Sequence, residues 1–271
     1  MPEGDTLFRT AAGLRPYLVG RRVSGARTGG PGAVPQIERI VGREITAVDA
    51  LGKNLLVRFD NGLEIRTHLQ MNGSWHRYRP GEPWRRPPAR ARLVIEVPGA
   101  VAVCFDAPVV ELLEQRAESI HPSLGRLGPD LLAPDFDAGK AVRGLRDPSR
   151  AATPIGEALV DQRALAGIGN VYKSEVLWLE HVAPSALVAD LGDSTVGRLV
   201  ATAHRLLRAN ADRGGGPQRV TTGADRRAMG PLYVYGRAGR PCRRCGTPIS
   251  SARQGRELPR TTYWCPVCQP A

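Results

Sequence analysis

Apolar positions in the first eighteen residues recur with a helical period. Leu7, Ala11, Leu14 and Leu18 fall on one face, which predicts an amphipathic helix over 6–18 with Asp5 as its N-cap and Gly20 just past its end. From residue 22 to 115 the pattern shortens to alternation or brief apolar runs. Segments 44–50, 55–59, 63–69, 74–78, 93–97, 101–105 and 109–113 read as strands. Asp60-Asn61-Gly62 and Pro98-Gly99 mark turns between them. Hairpins in succession, with no helix between them, predict an antiparallel sandwich. Segment 68–73 reads as a hairpin tip, and 79–92, rich in Pro and Arg, as an exposed loop. Beyond about residue 116 the pattern changes. Residues 121–134 are rich in Gly and Pro and read as a connector, and helices follow at 155–162 and 170–181. Thr153 is the expected cap of the first, with Pro154 at its first position, and 164–169 is a tight turn. A third helix, capped by Asp193 or Ser194, carries Val196, Leu199, Val200, Ala203, Leu206 and Leu207 on one face. Residues 211–231 read as a mobile loop, and no internal repeat is present.

Length and composition narrow this picture. A chain of 271 residues with 42% apolar and 24% charged residues holds one large or two medium globular domains. No apolar run approaches the ~18 residues of a membrane helix. Glu3 and Asp5 stand where a secretion signal carries basic and then apolar residues, so an intracellular, cytoplasmic protein is expected. The net charge of +12 favours a polyanionic partner, of which nucleic acid is the usual one. Only Lys53, Lys140 and Lys173 are lysines among 38 basic residues. That singles out each lysine, since Lys can exchange a proton where Arg effectively cannot.

Four places carry candidate chemistry. With Met1 removed, Pro2 becomes a terminal secondary amine with a reference pKa of roughly 8, against roughly 10.4 for lysine. Such an amine attacks an electrophilic carbon near neutral pH, and a following helix N-terminus disfavours its protonation. Glu3 is the nearest carboxyl for proton transfer. Lys53 lies in the turn Gly52-Lys53-Asn54, and Met71 is an apolar residue at a turn, where it is either core or a wedge for a base stack. Gly167-Ile168-Gly169-Asn170 stands between two helices, where amide groups can hold a phosphate. Cys242, Cys245, Cys265 and Cys268 form two C-x2-C pairs, the spacing of a closed tetrahedral zinc site with a structural role. Arg253, Arg256 and Arg260 between the pairs would face phosphates. Cys104, in an apolar strand, reads as an inert core thiol.

Pro-Glu-Gly at the start, Gly-Lys near 53, Ala-Gly-Ile-Gly-Asn near 169 and the C-terminal four-cysteine finger together resemble the formamidopyrimidine-DNA glycosylase and endonuclease VIII family. The likeness runs from Pro2 to Gln269. It implies an α+β fold: an N-terminal antiparallel β-sandwich with a leading helix (1–115), a helix–two-turn–helix DNA-binding domain (116–225) and a β-hairpin zinc finger (232–269). DNA would lie in the cleft between the halves, and a monomer is expected. The implied reaction is removal of oxidised bases from damaged DNA, double- or single-stranded, followed by strand cleavage through β,δ-elimination. Carried over residue by residue, Pro2 would attack the sugar C1′ and Glu3 would protonate the ring oxygen. Lys53 would move a proton and hold a phosphate. Asn170 and Arg260 would clamp phosphates, with Arg260 assisting the second elimination, and Arg126 would be a further DNA contact. Gln70, Met71 and Asn72, beside His68, would fill the hole left by the flipped base. The cysteines would hold one structural zinc ion.

The sequence departs from the 8-oxoguanine branch, because Ala107-Pro108-Val109-Val110 lacks an Arg-Arg-Phe tip. The resemblance is therefore closer to the endonuclease VIII branch, with oxidised pyrimidines as substrates. Arg256 competes with Arg260 for the finger role, and the Arg-Thr-Thr-aromatic-aromatic-Cys run favours Arg260. A catalytically silent DNA-binding clamp, or a zinc-ribbon module of a larger assembly, are the rival readings.

Overall fold

The apolar stripe at the start folds as helix α1 (Gly4–Leu18), two residues earlier than the periodicity predicts. Glu3 takes the N-cap position in extended conformation, and its backbone carbonyl accepts the amides of Thr6 and Leu7. Asp5 is therefore not the cap. It lies buried in the first turn and pairs with Arg9 at 3.4 Å. The computed structural model describes residues 2–30, 34–213, 218–223, 230–255 and 259–270. The chain divides into two units, 1–126 and 127–271.

In the first unit, the alternating segments form β1 (Gly25–Thr28), β2 (Ile45–Leu51), β3 (Asn54–Phe59), β4 (Leu63–His68), β5 (Ser74–Tyr78), β6 (Ala91–Val97), β7 (Ala100–Phe105) and β8 (Val109–Glu114). Among the described residues they make two four-stranded sheets, β2-β3-β4-β8 and β1-β6-β7-β5, with every pairing antiparallel. Leu55, Val57, Phe59 and Ile65 of one sheet share a core with Leu93, Ile95, Ala102 and Cys104 of the other. Leu7, Ala11, Leu14 and Leu18 of α1 complete it. The expected sandwich is the observed one.

Three local expectations change. β4 and β5 pair with different strands, so 69–73 is a crossover between sheets and not a hairpin tip. β1, too short and polar to show a pattern, pairs with β6. The 79–92 segment is not simply exposed. Trp84 stacks on Tyr78 and meets Phe105 edge-on, so this segment covers the outer face of β7. That burial on both faces explains the unbroken apolar run from Val101 to Phe105.

The second unit holds α2 (Ala138–Leu145), α3 (Ile155–Ala158), α4 (Asn170–Leu179) and α5 (Asp193–Ala211), then the hairpin β9 (Ser250–Gln254) and β10 (Arg260–Trp264). α2 was not foreseen. Asp137 caps it by accepting the amide of Lys140. α3 is a short helix with Pro154 in the cap position, so Thr153 does not cap it. Gly192 precedes α5, whose first residue Asp193 instead pairs with Arg146 at 3.0 Å. Of the loop expected over 211–231, residues 214–217 and 224–229 lie outside the described residues. Its described part is anchored, since Asn210 exchanges two hydrogen bonds with the backbone of Val220. Among the described residues no helix is long and apolar enough to cross a membrane.

Candidate functional site

In the first unit, α1 is laid against β2 by contacts that fix its direction. Gly20 donates to Ile45 O at 2.9 Å, while Arg15 Nε donates to Val48 O at 2.7 Å and its Nη2 reaches Asp49 at 3.1 Å. Residue 20 thus lies by the start of β2 and residue 15 by its middle, so helix and strand run antiparallel. From Arg15 back to Gly4 the helix rises about 16 Å, and from Asp49 to Lys53 the strand extends about 13 Å. The N-terminus of α1, preceded by half-buried Pro2 and fully buried Glu3, is therefore directed toward the end of β2 that carries Gly52 and Lys53.

The lysine turn is built to hold its shape. Leu51 pairs with Asn54 across Gly52-Lys53, and only Gly52 has positive φ (+58°), the pattern of a type II′ hairpin. Asn54 Nδ2 donates to Leu51 O at 3.0 Å, and Asn54 Oδ1 accepts Arg66 Nε at 3.0 Å. Buried Arg66 in turn pairs with Glu111 at 2.5 Å. Lys53 is itself largely buried, at 9% exposure, so its ammonium is confined. His68 sits opposite Asn54 in the sheet. Burial lowers its pKa to about 4, and the cations of Arg66 and Lys53 push the same way, so it is neutral at pH 7. Lys53 and His68 stand out in the sequence by residue type, whereas Asn54, Arg66 and Glu111 join them only through strand register.

The crossover after His68 carries the remaining candidates of this unit. Leu69 is buried, and Gly73 donates back to Leu69 O at 2.9 Å. A Cβ on Gly73 would stand 2.6 Å from that oxygen, so the closure requires glycine. Gln70 is forced to φ +46° and Met71 is 62% exposed, with Asn72 exposed beside it. Met71 is thus not core. Arg126, exposed, ends the unit.

In the second unit, Gln162 folds the glycine turn. Its Nε2 donates to Val160 O and Ile168 O, and its Oε1 accepts the Gly167 amide at 3.1 Å. Gly167 has φ +97°, Gly169 occupies the cap position, and Asn170 begins α4. Asn170 does not cap. Its Nδ2 donates to Thr261 O at 2.7 Å, bringing α4 against β10 beside Arg260. Asn170 Oδ1 and Arg260 Nη1 are both buried without a hydrogen-bond partner among the described residues. An unsatisfied acceptor on α4 and an unsatisfied cationic donor on the strand that α4 contacts make this a candidate polar locus for a ligand. Arg256, the rival of Arg260, lies outside the described residues, and Arg253 is exposed.

Below that locus the four cysteines converge. Their sulfurs all lie within 4.8 Å of one another, with Cys245–Cys265 at 3.4 Å, Cys268–Cys245 at 3.5 Å and Cys242–Cys268 at 3.9 Å. Four sulfurs around one zinc, each about 2.3 Å from the metal, sit about 3.8 Å apart. Disulfides would need about 2.05 Å. The amides of Arg244 and Cys268 point at Cys242 Sγ and Cys265 Sγ. The donor set fits zinc with no position left open. Trp178 of α4 packs on this centre with Val234 and Ile249. Glu175 of α4, fully buried, accepts the successive amides of Tyr233, Val234 and Tyr235 at 2.8–2.9 Å and the Thr221 hydroxyl, an anchor that no sequence pattern announced.

Three family models match the chain. They are the formamidopyrimidine-DNA glycosylase N-terminal domain over 1–108, the H2TH domain of the same glycosylase over 127–222, and a zinc finger found in FPG and IleRS over 239–271. A probable endonuclease 8 2 of Streptomyces coelicolor is 44% identical, across 99% of this chain and 94% of that protein. The DNA-(apurinic or apyrimidinic site) lyase Nei2 of Mycolicibacterium smegmatis is 40% identical over the full length of both. Fpg of Lactococcus lactis, solved with DNA containing an abasic site, superposes with a TM-score of 0.82 at 24% identity, covering 99% of this chain and 100% of that one. The chain belongs to the formamidopyrimidine-DNA glycosylase and endonuclease VIII family, and stands closer to its endonuclease VIII branch.

Proposed function

We propose that the protein is an intracellular, monomeric DNA glycosylase and abasic-site lyase of base excision repair, with oxidised pyrimidines as its preferred substrates. The observation that carries this reading is the antiparallel course of α1 along β2, which directs Pro2 and buried Glu3 toward the end of the sandwich that carries Lys53. An amine poised to attack, a buried carboxyl and a confined ammonium are the groups that the reaction needs. The division of labour follows the three parts 1–115, 116–225 and 232–269: chemistry, backbone grip and metal-stapled finger.

The Pro2 nitrogen attacks C1′ of the damaged nucleotide, and the glycosidic bond breaks as the base leaves with its electron pair. Glu3 delivers a proton to the ring oxygen, the sugar opens, and an iminium links C1′ to Pro2. Loss of a proton from C2′ expels the 3′ phosphate, and a second elimination across C4′ and C5′ expels the 5′ phosphate, with Arg260 beside the leaving group. Water then hydrolyses the imine and frees Pro2. Lys53 moves a proton in the opening step and holds a phosphate. Neutral His68 adds no further positive charge beside Lys53 and Arg66.

Asn170 and Arg260 clamp the phosphates beside the extruded nucleotide, and Arg126 adds a contact. One structural zinc ion on Cys242, Cys245, Cys265 and Cys268 holds the finger that presents Arg260. Gln70, Met71 and Asn72 occupy the space of the extruded base, which lowers the cost of flipping. The pyrimidine preference is supported by the β7–β8 connection. It consists only of Asp106, Ala107 and Pro108, tied down by Arg86 and Arg90, and it projects no arginine-bearing tip.

Borohydride reduction during turnover on abasic DNA tests the reading. The expected result is a covalent protein–DNA adduct that Pro2→Gly loses. A wild-type protein that binds abasic DNA yet gives neither adduct nor nick would contradict it and leave the silent clamp.

A further inference from the structure

The crossover loop at 69–73 raises a question that its own residues do not answer. Gly73 closes its base, but Gln70–Asn72 stand exposed with Gln70 held at φ +46°, a conformation that a water-facing chain does not maintain unaided. Its outer end is held from elsewhere. Arg86 Nη1 donates to Asn72 O at 3.3 Å and to Asp106 Oδ2 at 2.6 Å. Asp106 Oδ1 accepts Arg90 Nε at 2.7 Å, and the Asp106 amide donates to Arg90 O at 3.0 Å. Asp106 sits at φ +53°, another left-handed non-glycine, so this turn too is held by its partners. Arg86 is delivered by its neighbours: Trp84 is sandwiched against Tyr78 and Phe105, and the Arg85 amide donates to the Tyr78 hydroxyl at 3.1 Å. Three separate stretches, 69–73, 84–90 and 105–108, are therefore joined through one guanidinium.

We propose that Arg86, oriented by Asp106, is a positioning residue for nucleotide extrusion: it holds the Asn72 carbonyl and keeps Gln70–Asn72 in the protruding form that fills the vacated space in the duplex. The inference rests on the glycosylase reading given above. A guanidinium suits the task because one planar group serves two acceptors in a fixed direction, whereas an ammonium directs neither. Arg86 itself touches no reacting atom. Its effect belongs to the step in which a base pair is opened, and is absent where there is no pair to open.

The test compares two DNAs with the full-length, zinc-loaded protein. One is a duplex carrying an oxidised pyrimidine with 2-aminopurine on its 3′ side, whose fluorescence rises as the plug unstacks it. The other is a single strand with one abasic site, read by borohydride trapping. Arg86→Ala should slow the fluorescence phase on duplex about tenfold, the scale of a lost charged hydrogen bond. It should trap the single-stranded site at the wild-type rate and leave the salt slope of duplex binding unchanged. Asp106→Asn, which disorients Arg86 without removing it, should shift the duplex phase in the same direction. An unchanged duplex phase in both variants overturns the proposal. So does equal slowing on both DNAs, which would mean damage to the fold or to the chemistry. A salt slope reduced by about one would mark Arg86 as a phosphate contact and overturn it as well. If the wild type traps neither DNA, the glycosylase reading fails first and this proposal falls with it.

Discussion

The two units carry their working groups in opposite ways. In the second, they are written in contiguous motifs: Cys-x2-Cys twice, Gly-Ile-Gly-Asn at one helix start, Arg260 at one strand start. Each motif folds locally, and the metal cluster and a hydrogen bond from Asn170 to Thr261 O, across 91 residues of sequence, bring them together. In the first unit, Pro2 precedes a helix, Lys53 lies in a turn and His68 ends a strand, and what relates them is the antiparallel course of α1 along β2 and the register of β3 with β4. The lesson is about how each site fails. Loss of a thiolate or of the metal removes the second unit's locus outright, while the first unit's site degrades through its braces.

The largest expected effect separates the two. Pro2→Gly, or a retained Met1, should lower abasic-site cleavage by about a thousandfold or more, with thermal stability and zinc content unchanged. Single-turnover nicking assays and metal analysis check it. Cys265→Ser or chelation of zinc should do the converse: the β9–β10 hairpin loses its staple and duplex binding collapses, since folding here depends on the metal. The N-terminal sandwich should keep its cooperative unfolding transition, seen by calorimetry.

A smaller effect probes the braces. Asn54→Ala leaves Arg66 Nε without its acceptor beneath the lysine turn, which should cost about 1–3 kcal/mol of stability. It should also slow cleavage while binding affinity holds, measured by urea titration and by separate Kd and rate determinations. The smallest concerns pH. His68 has a pKa near 6.5 unfolded and about 4 folded, so between these values the unfolded chain binds more protons. The histidine's contribution is complete above pH 6.5 and fades as pH falls toward 4, by no more than about 1.4 kcal/mol per pH unit. Urea midpoints at pH 7, 6 and 5 should show this slope, and His68→Gln should flatten it.

Much of the fold was legible because its cause is local. The i, i+4, i+7 stripe of α1 and the alternation in β2 through β8 translate directly into a core-facing side. What failed to show was set by partners distant in sequence. β1 has almost no pattern and exists because β6 offers it an edge. Residues 79–92 look like solvent-facing chain, yet Trp84 finds a hydrophobic floor on the far side of β7. The 68–73 turn looks like a hairpin because hairpins and sheet-to-sheet crossovers share turn residues, and only strand pairing tells them apart. At the site, the chemistry-bearing residues were readable from type and motif. Asn54, Arg66, Glu111, Glu175 and Arg86 were not, since an Arg that braces looks in sequence like any of the 35 arginines.

The central claim is that the amine of Pro2 is the atom that bonds to deoxyribose. Its most direct test is peptide mapping by mass spectrometry of the borohydride-reduced adduct formed on abasic DNA. The reduced sugar remnant should be found on the N-terminal nitrogen of a peptide that begins at Pro2. Attachment to a lysine, or undiminished nicking by protein whose Pro2 nitrogen is blocked, would contradict it.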